Sequence, residues 1–374
     1  MSAWEAIDNG VVASNTKTRQ KYWAYWQAYA SAYNHDPYLQ SCNNNQSIII
    51  LTAFAARVRT GFYGNGRIVT VQTVRDALSA VSKTFELVGL QSPILQTQGS
   101  YKVPVGRLVE GFKRQDPLAV PQLAIPIKVP QECRRAGAAS GCAKLEAVGD
   151  LALIAFYYLL RVGEYTKPKY VKTTTGTKRA TRTEQFKIKD IGFFKDNKIL
   201  PRHSPLHILQ TADSCTLKIT NQKNGRMGQT IHHSAIKDNL NCPIHAIARR
   251  VSHILHNGGT TDNYICDVKQ KQSKHWYQIT APDMRTNIRK AVTTLKLNKS
   301  GIDPDLVGVH SLRAGGAMAL KLTGSNDMTI MKMGRWTSLT FLQYIHNQIA
   351  HLSTDLAQNM STELTFTNIA AIEK

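Results

Sequence analysis

Aromatic and aliphatic side chains recur at helical spacing through the first hundred residues. Tyr22, Trp26, Tyr29 and Tyr33 fall at offsets 0, 4, 7 and 11, one face of a helix. Val74, Leu78, Val81 and Phe85 repeat those offsets, and Gly89 then supplies a left-handed stop. Between them Ile48 to Arg59 is a third apolar segment, set off by Asn43-Asn44-Asn45 and by the glycines from Gly61 to Gly66. An aromatic stripe at this spacing reads as a core face. Its other use, a platform for stacked bases, needs exposed rings.

Four of the thirteen prolines, Pro117, Pro121, Pro126 and Pro130, then crowd into one stretch. Proline removes a backbone donor and extends its predecessor, so 118–130 reads as a linker. Beyond it Leu145 to Leu160 predicts a buried helix running into Arg161. Lys167 to Lys189 holds eight Lys or Arg and one Glu, with a Thr-rich centre; this is loop composition with a strong positive field. Short apolar runs follow at Phe186–Ile188, Gly192–Phe194, Leu206–Leu209, Thr216–Thr220 and Gln229–His232. The last two flank Asn224-Gly225, a hairpin turn signal. Helical spacing returns over Ile244–Leu255, Asp283–Leu295, Ser311–Leu322 and Leu339–Ile349. The pattern predicts a mainly α protein with a small antiparallel β-sheet, an α+β fold. Its parts are a helical N-terminal domain (1–117), a linker (118–130) and a second domain (131–374).

At 374 residues the chain is too long for one ordinary core, which agrees with two domains. Charge changes the picture more: 47 Lys and Arg against 25 Asp and Glu give +22, which favours a polyanion as partner. Lys167, Lys169, Lys172, Lys178, Arg179 and Arg182 are the candidate contacts to it. The six cysteines include no pair at zinc-ligand spacing, and the chain reads as intracellular with reduced thiols. No signal-peptide pattern opens the sequence, and the apolar run Leu151–Leu160 is half a membrane span. With no G-x-x-x-x-G-K-[ST] run, a bound nucleotide is unsupported. A metal reading through Cys242, His245, His253 and His256 fits no standard zinc spacing. His245, Arg249, His253 and His256 share one helix face and read instead as a basic face toward phosphate.

Candidate chemistry collects after the linker. Arg161 closes ten apolar residues, where an isolated charge is costly, and Glu164 can brace it from three residues on. His310 and Arg313 project from one face of the helix that begins there. Ala314, Gly315 and Gly316 are small enough for close approach to DNA or another helix. Residues 310–344, which include Gly334-Arg335-Trp336 and Tyr344, contain one acidic side chain, Asp327. Guanidiniums grip phosphate oxygens bidentately, a histidine handles a proton, and a tyrosine hydroxyl can attack phosphorus. Lys223, at the tip of the predicted hairpin, can protonate a leaving oxygen; Lys218 and Arg226 are rivals for that role. Each residue also has an ordinary use: a helix-end ion pair for Arg161, a cap for His310, packing for Trp336 and Tyr344, a solvated turn for Lys223.

The order Arg161, Lys223, His310-x-x-Arg313, Trp336, Tyr344 resembles the tyrosine recombinase (phage-integrase) family over roughly residues 118–350. It looks most like recombinases of Crypton-like or DIRS-like mobile elements, where Trp stands in place of His before the tyrosine. Trp336 and Tyr344 are eight apart rather than the commoner nine. The resemblance implies a helical core-binding domain clamped on DNA and an integrase-like catalytic domain. It implies cleavage by Tyr344 through a 3′-phosphotyrosyl link, and phosphate stabilisation by Arg161 and Arg313. It further assigns a general acid at Lys223 and supporting roles to His310 and Trp336. Double-stranded DNA is then the partner, a tetramer of protomers acts on it, and no metal or cofactor takes part. The segment from Tyr344 to Lys374 would dock on a neighbour, and a eukaryotic host would place the protein in the nucleus. A type IB topoisomerase and a domesticated, non-catalytic DNA-binding protein are the alternatives.

Overall fold

The N-terminal stripes fold as four helices: α1 (Ala13–Ala32), α2 (Asn44–Arg59), α3 (Val71–Leu87) and α4 (Val103–Gln115). The computed structural model of the chain describes residues 13–96, 98–118, 122–173, 176–221, 228–270 and 275–344. It divides into two units, Met1–Ala119 with Lys169–Arg182, and Val120–Pro168 with Thr183–Lys374.

In the first unit the aromatic stripe faces inward. Trp26, Leu51, Phe54, Val74, Leu78 and Val81 have no exposed surface, and the Trp26 and Phe54 rings meet edge-on at 5.2 Å. Tyr33 lies beyond the end of α1 and stays 52% exposed, so it drops out of the predicted face. Asn43 and Gln46 cap α2 reciprocally, and Gly89 follows α3 at φ +80 as the spacing predicted. Asp116 joins three helix ends: it accepts from Arg59 at the end of α2 and from the Val71 N–H (2.7 Å) at the start of α3, while itself capping α4. Helix α4 escaped the sequence pattern because Pro104, Gly106 and Gly111 dilute it, leaving Val105 and Val109 as its buried residues. The basic stretch expected to be loop forms an antiparallel hairpin, β1 (Tyr170–Thr173) and β2 (Gly176–Arg179), within this unit. Ladder hydrogen bonds are backbone bonds, so a Lys- and Thr-rich sequence can make them.

The second unit is built on α5 (Lys128–Ser140) and α6 (Ala143–Tyr157). They pack through Gly137 and Gly149: a Cβ on Gly149 would stand 2.6 Å from the Arg134 Cα. Every residue of α6 from Ala147 to Phe156 is buried, including Asp150, and the apolar run that begins at Leu151 predicts most of it. The stretch 118–130 is only partly a linker. Ile125, Val129 and Pro130 are buried, and Pro130 sits in the first turn of α5, where its missing N–H has no helical partner to lose.

After the short α7 (Val162–Tyr165) the chain forms a four-stranded antiparallel sheet in the order β4-β3-β5-β6. Its strands are β3 (Ile191–Lys195), β4 (Lys198–Leu200), β5 (Ser214–Ile219) and β6 (Gln229–Ser234). The predicted hairpin is the β5–β6 pair; its tip, with Lys223, lies outside the described residues. The apolar run Leu206–Leu209 is a helical turn, α8. The sheet is tied to the end of α6, where the Tyr158 hydroxyl donates to Cys215 O (3.0 Å) and His233 Nε2 to Tyr157 O (2.6 Å).

Helix α9 (Pro243–His256), the ribbon of β7 (Asp267–Lys269) and β8 (Trp276–Gln278), and α10 (Ala281–Thr294) complete the core. Helices α11 (Val309–Leu322) and α12 (Asp327–Gly334) follow. A 3-10 turn then spans Leu339–Tyr344, where an α-helix to Ile349 was expected; residues beyond 344 lie outside the described residues. Gly315 and Gly316 place α11 against other backbone. A Cβ on either would collide with the carbonyl oxygen of Ile125 or Phe156. Their small size serves helix packing.

Two glycines with opposite surroundings test this packing. Gly149→Ala should destabilise the protein by about 1–3 kcal/mol, the usual range for overpacking. Gly111→Ala, in exposed α4 with nothing within 4 Å of its Cβ, should stabilise it by roughly 0.5–1 kcal/mol. Urea denaturation of the two variants reads both signs.

Candidate active site

Helix α6 ends in Leu159 at φ +48, a left-handed position that normally favours glycine. Leu160 N–H reaches back to Ala155 O (3.0 Å) and closes the turn. The Leu159 carbonyl accepts from Arg313 Nη1 and from Arg335 Nη2, the latter at 3.1 Å. Arg161 follows with extended backbone as the residue that opens α7. Its N–H donates to Glu164 Oε2 (2.8 Å), and its Nη1 lies 3.4 Å from Oε1. Glu164 has no exposed surface and also receives Arg335 Nη2 at 2.9 Å.

Arg313 arrives from the first turns of α11 and is 1% exposed. Both terminal nitrogens donate to carbonyls, Leu159 O and Gly334 O, and its guanidinium carbon lies 4.2 Å from the centre of the Trp336 ring. Gly334 must be glycine, since a Cβ there would fall inside the Trp336 ring. His310, one turn before Arg313, is partly buried. Burial first, then the charges of Arg313 and Arg161, lower its pKa from the ordinary 6.5, so the neutral ring is favoured at neutral pH. Two guanidiniums, Arg161 and Arg335, thus share one buried carboxylate, and a third, Arg313, is held beside them by backbone carbonyls, the charge pattern of an anion site.

The structure brings Arg161, Glu164, His310, Arg313 and Trp336 together around the turn from Leu159 to Glu164. Tyr344 ends the 3-10 turn, whose Phe341 is fully buried with Ala317 and Ile330; the Tyr344 side chain is outside the described residues, as is all of Lys223. Lys218, the described rival to Lys223, is exposed on β5. Lys167 is exposed in the second unit; Lys169, Lys172, Lys178, Arg179 and Arg182 belong to the hairpin segment of the first. Arg335 belongs to the Gly334-Arg335-Trp336 motif, but the family order assigns it no role. Its signal there was a second arginine in an acid-poor run; its burial came from tertiary packing.

The basic face assigned to α9 is a correction. His245 is buried with both ring nitrogens against carbonyl oxygens, and Arg249 pairs with buried Asp150 at 2.7 Å. His253 Nε2 accepts the Lys269 N–H (3.1 Å), and burial followed by the charge of Arg250 lowers its pKa to about 4. His245, Arg249 and His253 are thus engaged within the fold, and His256 is the one exposed member of that face. Among the described residues no three His, Cys, Asp or Glu side chains form a metal-sized group, and no helix is long and apolar enough to cross a membrane.

No family model matches the sequence, and no curated protein does. Solved structures do resemble the chain. XerA recombinase shares 12% identity at a TM-score of 0.36, over 92% of this chain and 98% of that one. XerH site-specific recombinase bound to palindromic difH substrate, in a post-cleavage complex, shares 14% at 0.47, over 83% and 72%. Tn1549 transposon integrase in complex with circular intermediate DNA shares 12% at 0.43, over 86% and 88%. Likeness of this size does not fix a function, so the geometry of the site carries the reading.

His310 offers a direct check on the field at the site. In an NMR titration its ring should protonate below the ordinary 6.5. Inorganic phosphate should move that midpoint up, because an anion offsets the charges of Arg313 and Arg161. A midpoint at or above 6.5 in the free protein would contradict the arrangement.

Proposed function

We propose that the protein is a DNA recombinase or integrase of the tyrosine type, cutting and rejoining double-stranded DNA through a 3′-phosphotyrosyl intermediate. The observation that carries this is the convergence of Arg161, Arg313, His310 and Trp336 on one turn of chain, in the order the sequence motif requires. In this reading the Tyr344 oxygen attacks the scissile phosphorus and the bond to the 5′-oxygen breaks. His310, favoured as the neutral ring, accepts the tyrosine proton or bonds the phosphate. Arg161 and Arg313 stabilise the charge that grows on the non-bridging oxygens. Lys223 gives a proton to the departing 5′-oxygen. A second 5′-hydroxyl reverses the sequence and frees the tyrosine. The bond energy stays in the phosphotyrosyl link, so no nucleotide is spent and no metal is called for.

Residues 1–117 would act as the DNA-clamping domain and 131–374 as the catalytic domain, with the basic hairpin among the DNA contacts. Exchange between two duplexes requires four protomers, and the segment beyond Tyr344 is the proposed contact to a neighbour. In a eukaryotic host such a protein works in the nucleus.

A suicide DNA substrate that traps the covalent adduct tests the nucleophile. Wild type should accumulate adduct, and Tyr344→Phe should form none while keeping its DNA affinity. An adduct on another tyrosine would sink the assignment. Joining between separate duplexes distinguishes a recombinase from a type IB topoisomerase.

Lys223 has its own test. Lys223→Ala should slow cleavage of ordinary DNA on the order of a hundredfold or more, the range for a lost general acid. A substrate with sulfur at the bridging 5′ position leaves as thiolate and needs no proton. It should restore Lys223→Ala and leave Arg313→Ala slow. Equal slowness of Lys223→Ala on both substrates moves the role to Lys218 or Arg226.

A further inference from the structure

The aromatic stripe of the first unit is buried, yet one ring close to it is not. Phe62, in the loop between α2 and α3, is 57% exposed. Its neighbour Tyr63 turns the other way and stacks on Tyr25, with ring centres 4.9 Å apart and planes 20° from parallel. The loop is closed on itself. Gly64 N–H (2.9 Å) and Gly66 N–H (3.2 Å) both donate to Gly61 O, and Val69 N–H donates to Arg59 O (3.0 Å). Gly61, at φ +73, has to be glycine, because a Cβ there would stand 2.0 Å from the Arg67 carbonyl oxygen. A ring exposed on a closed loop has its position fixed before any partner arrives, which lowers the entropy lost on binding.

The charge around this ring indicates the partner. The Arg57 guanidinium lies over it, 3.6 Å from the ring centre, and Arg57 and Arg67 are both exposed. No Asp or Glu occurs between Asp36 and Asp76. Asp116, which reaches in from the end of α4, is taken up by Arg59 and the Val71 N–H. An apolar ring among cations suits a polyanion with flat, stackable faces, which is the chemistry of a nucleic acid. We infer that Phe62 is a wedge for duplex DNA: its ring enters between two base pairs and unstacks them, while Arg57 and Arg67 engage the adjoining phosphates. The inference deepens the proposed function and rests on that reading for DNA as the partner.

The test uses the full chain and a short DNA duplex, either fully matched or carrying one mismatched pair. A mismatch is already partly unstacked, so a wedge has less stacking to break there. Wild type should therefore bind the mismatched duplex several times more tightly than the matched one. Phe62→Ala should lose that preference and bind the matched duplex about tenfold more weakly, within the range for one stacked base. Phe62→Trp, which keeps a flat ring, should retain both properties. The salt dependence of binding should be the same for Phe62→Ala as for wild type, since no phosphate contact is removed.

A wild type indifferent to the mismatch overturns the inference, as does Phe62→Ala that keeps either the wild-type affinity or the mismatch preference. A loss of affinity that comes with a flatter salt dependence also overturns it, because that marks a lost phosphate contact. If Phe62→Ala binds DNA normally but loses self-association in sedimentation, the ring is a contact between copies of this chain and the wedge is wrong. Wild type that binds neither duplex removes the DNA reading itself, and the wedge with it. Wild type that forms the covalent adduct, beside Phe62→Ala that binds as well as it does, removes the wedge alone.

Discussion

Three arginines meeting at one short turn of chain are the constraint on which the second unit depends. Like charges at close range repel, and burial removes the water that would screen them. They hold together here because fixed acceptors face them. The Leu159 carbonyl takes Arg313 and Arg335, Glu164 takes Arg161 and Arg335, and Gly334 O takes Arg313. Those acceptors exist only while α6 ends in its left-handed turn and α11 lies close enough to deliver Arg313. The close approach rests in turn on Gly315 and Gly316, which leave room for the Ile125 and Phe156 carbonyls.

The same arrangement links packing to electrostatics. Arg313 has both terminal nitrogens committed to backbone and its face against the Trp336 ring, so its orientation is set before any ligand arrives. Preorganised charge of this kind costs no reorganisation when a phosphate binds, which is what a charge-stabilising site requires. The price is carried by the fold: the strained Leu159, the buried Glu164 and the incompletely bonded Arg335 are each unfavourable alone. Phe341, buried against α11 and α12, anchors the turn that ends at Tyr344 to this same framework.

Much of this was legible in the chain. The periodic stripes of α1 and α3, the apolar run of α6, the β5–β6 strands and helices α9, α10 and α11 follow from spacing alone. The grouping of Arg161, Glu164, His310, Arg313 and Trp336 was legible only through the order on which the family resemblance rests, since each residue alone has an ordinary use. What escaped had weak or misleading local signals. Helix α4 is diluted by proline and glycine, β1 and β2 are written in lysine and threonine, and the first turn of α5 hides among prolines. The α9 face looked like a phosphate-binding strip because its spacing is regular, yet Asp150 and nearby carbonyls claim Arg249 and His245 from within.

Sequence by itself determined the helical periods, the excess of positive charge and the order of the reactive residue types, since each is a property of neighbours along the chain. Tertiary structure decided which charges are buried and which carboxylate they share. Arg335 shows the difference: beside Trp336 in the sequence it is one more basic residue, and only when α12 returns to the end of α6 does it meet Glu164. Partners separated by 171 residues leave no mark in local spacing, because what joins them is the close packing of helices rather than any pattern either carries.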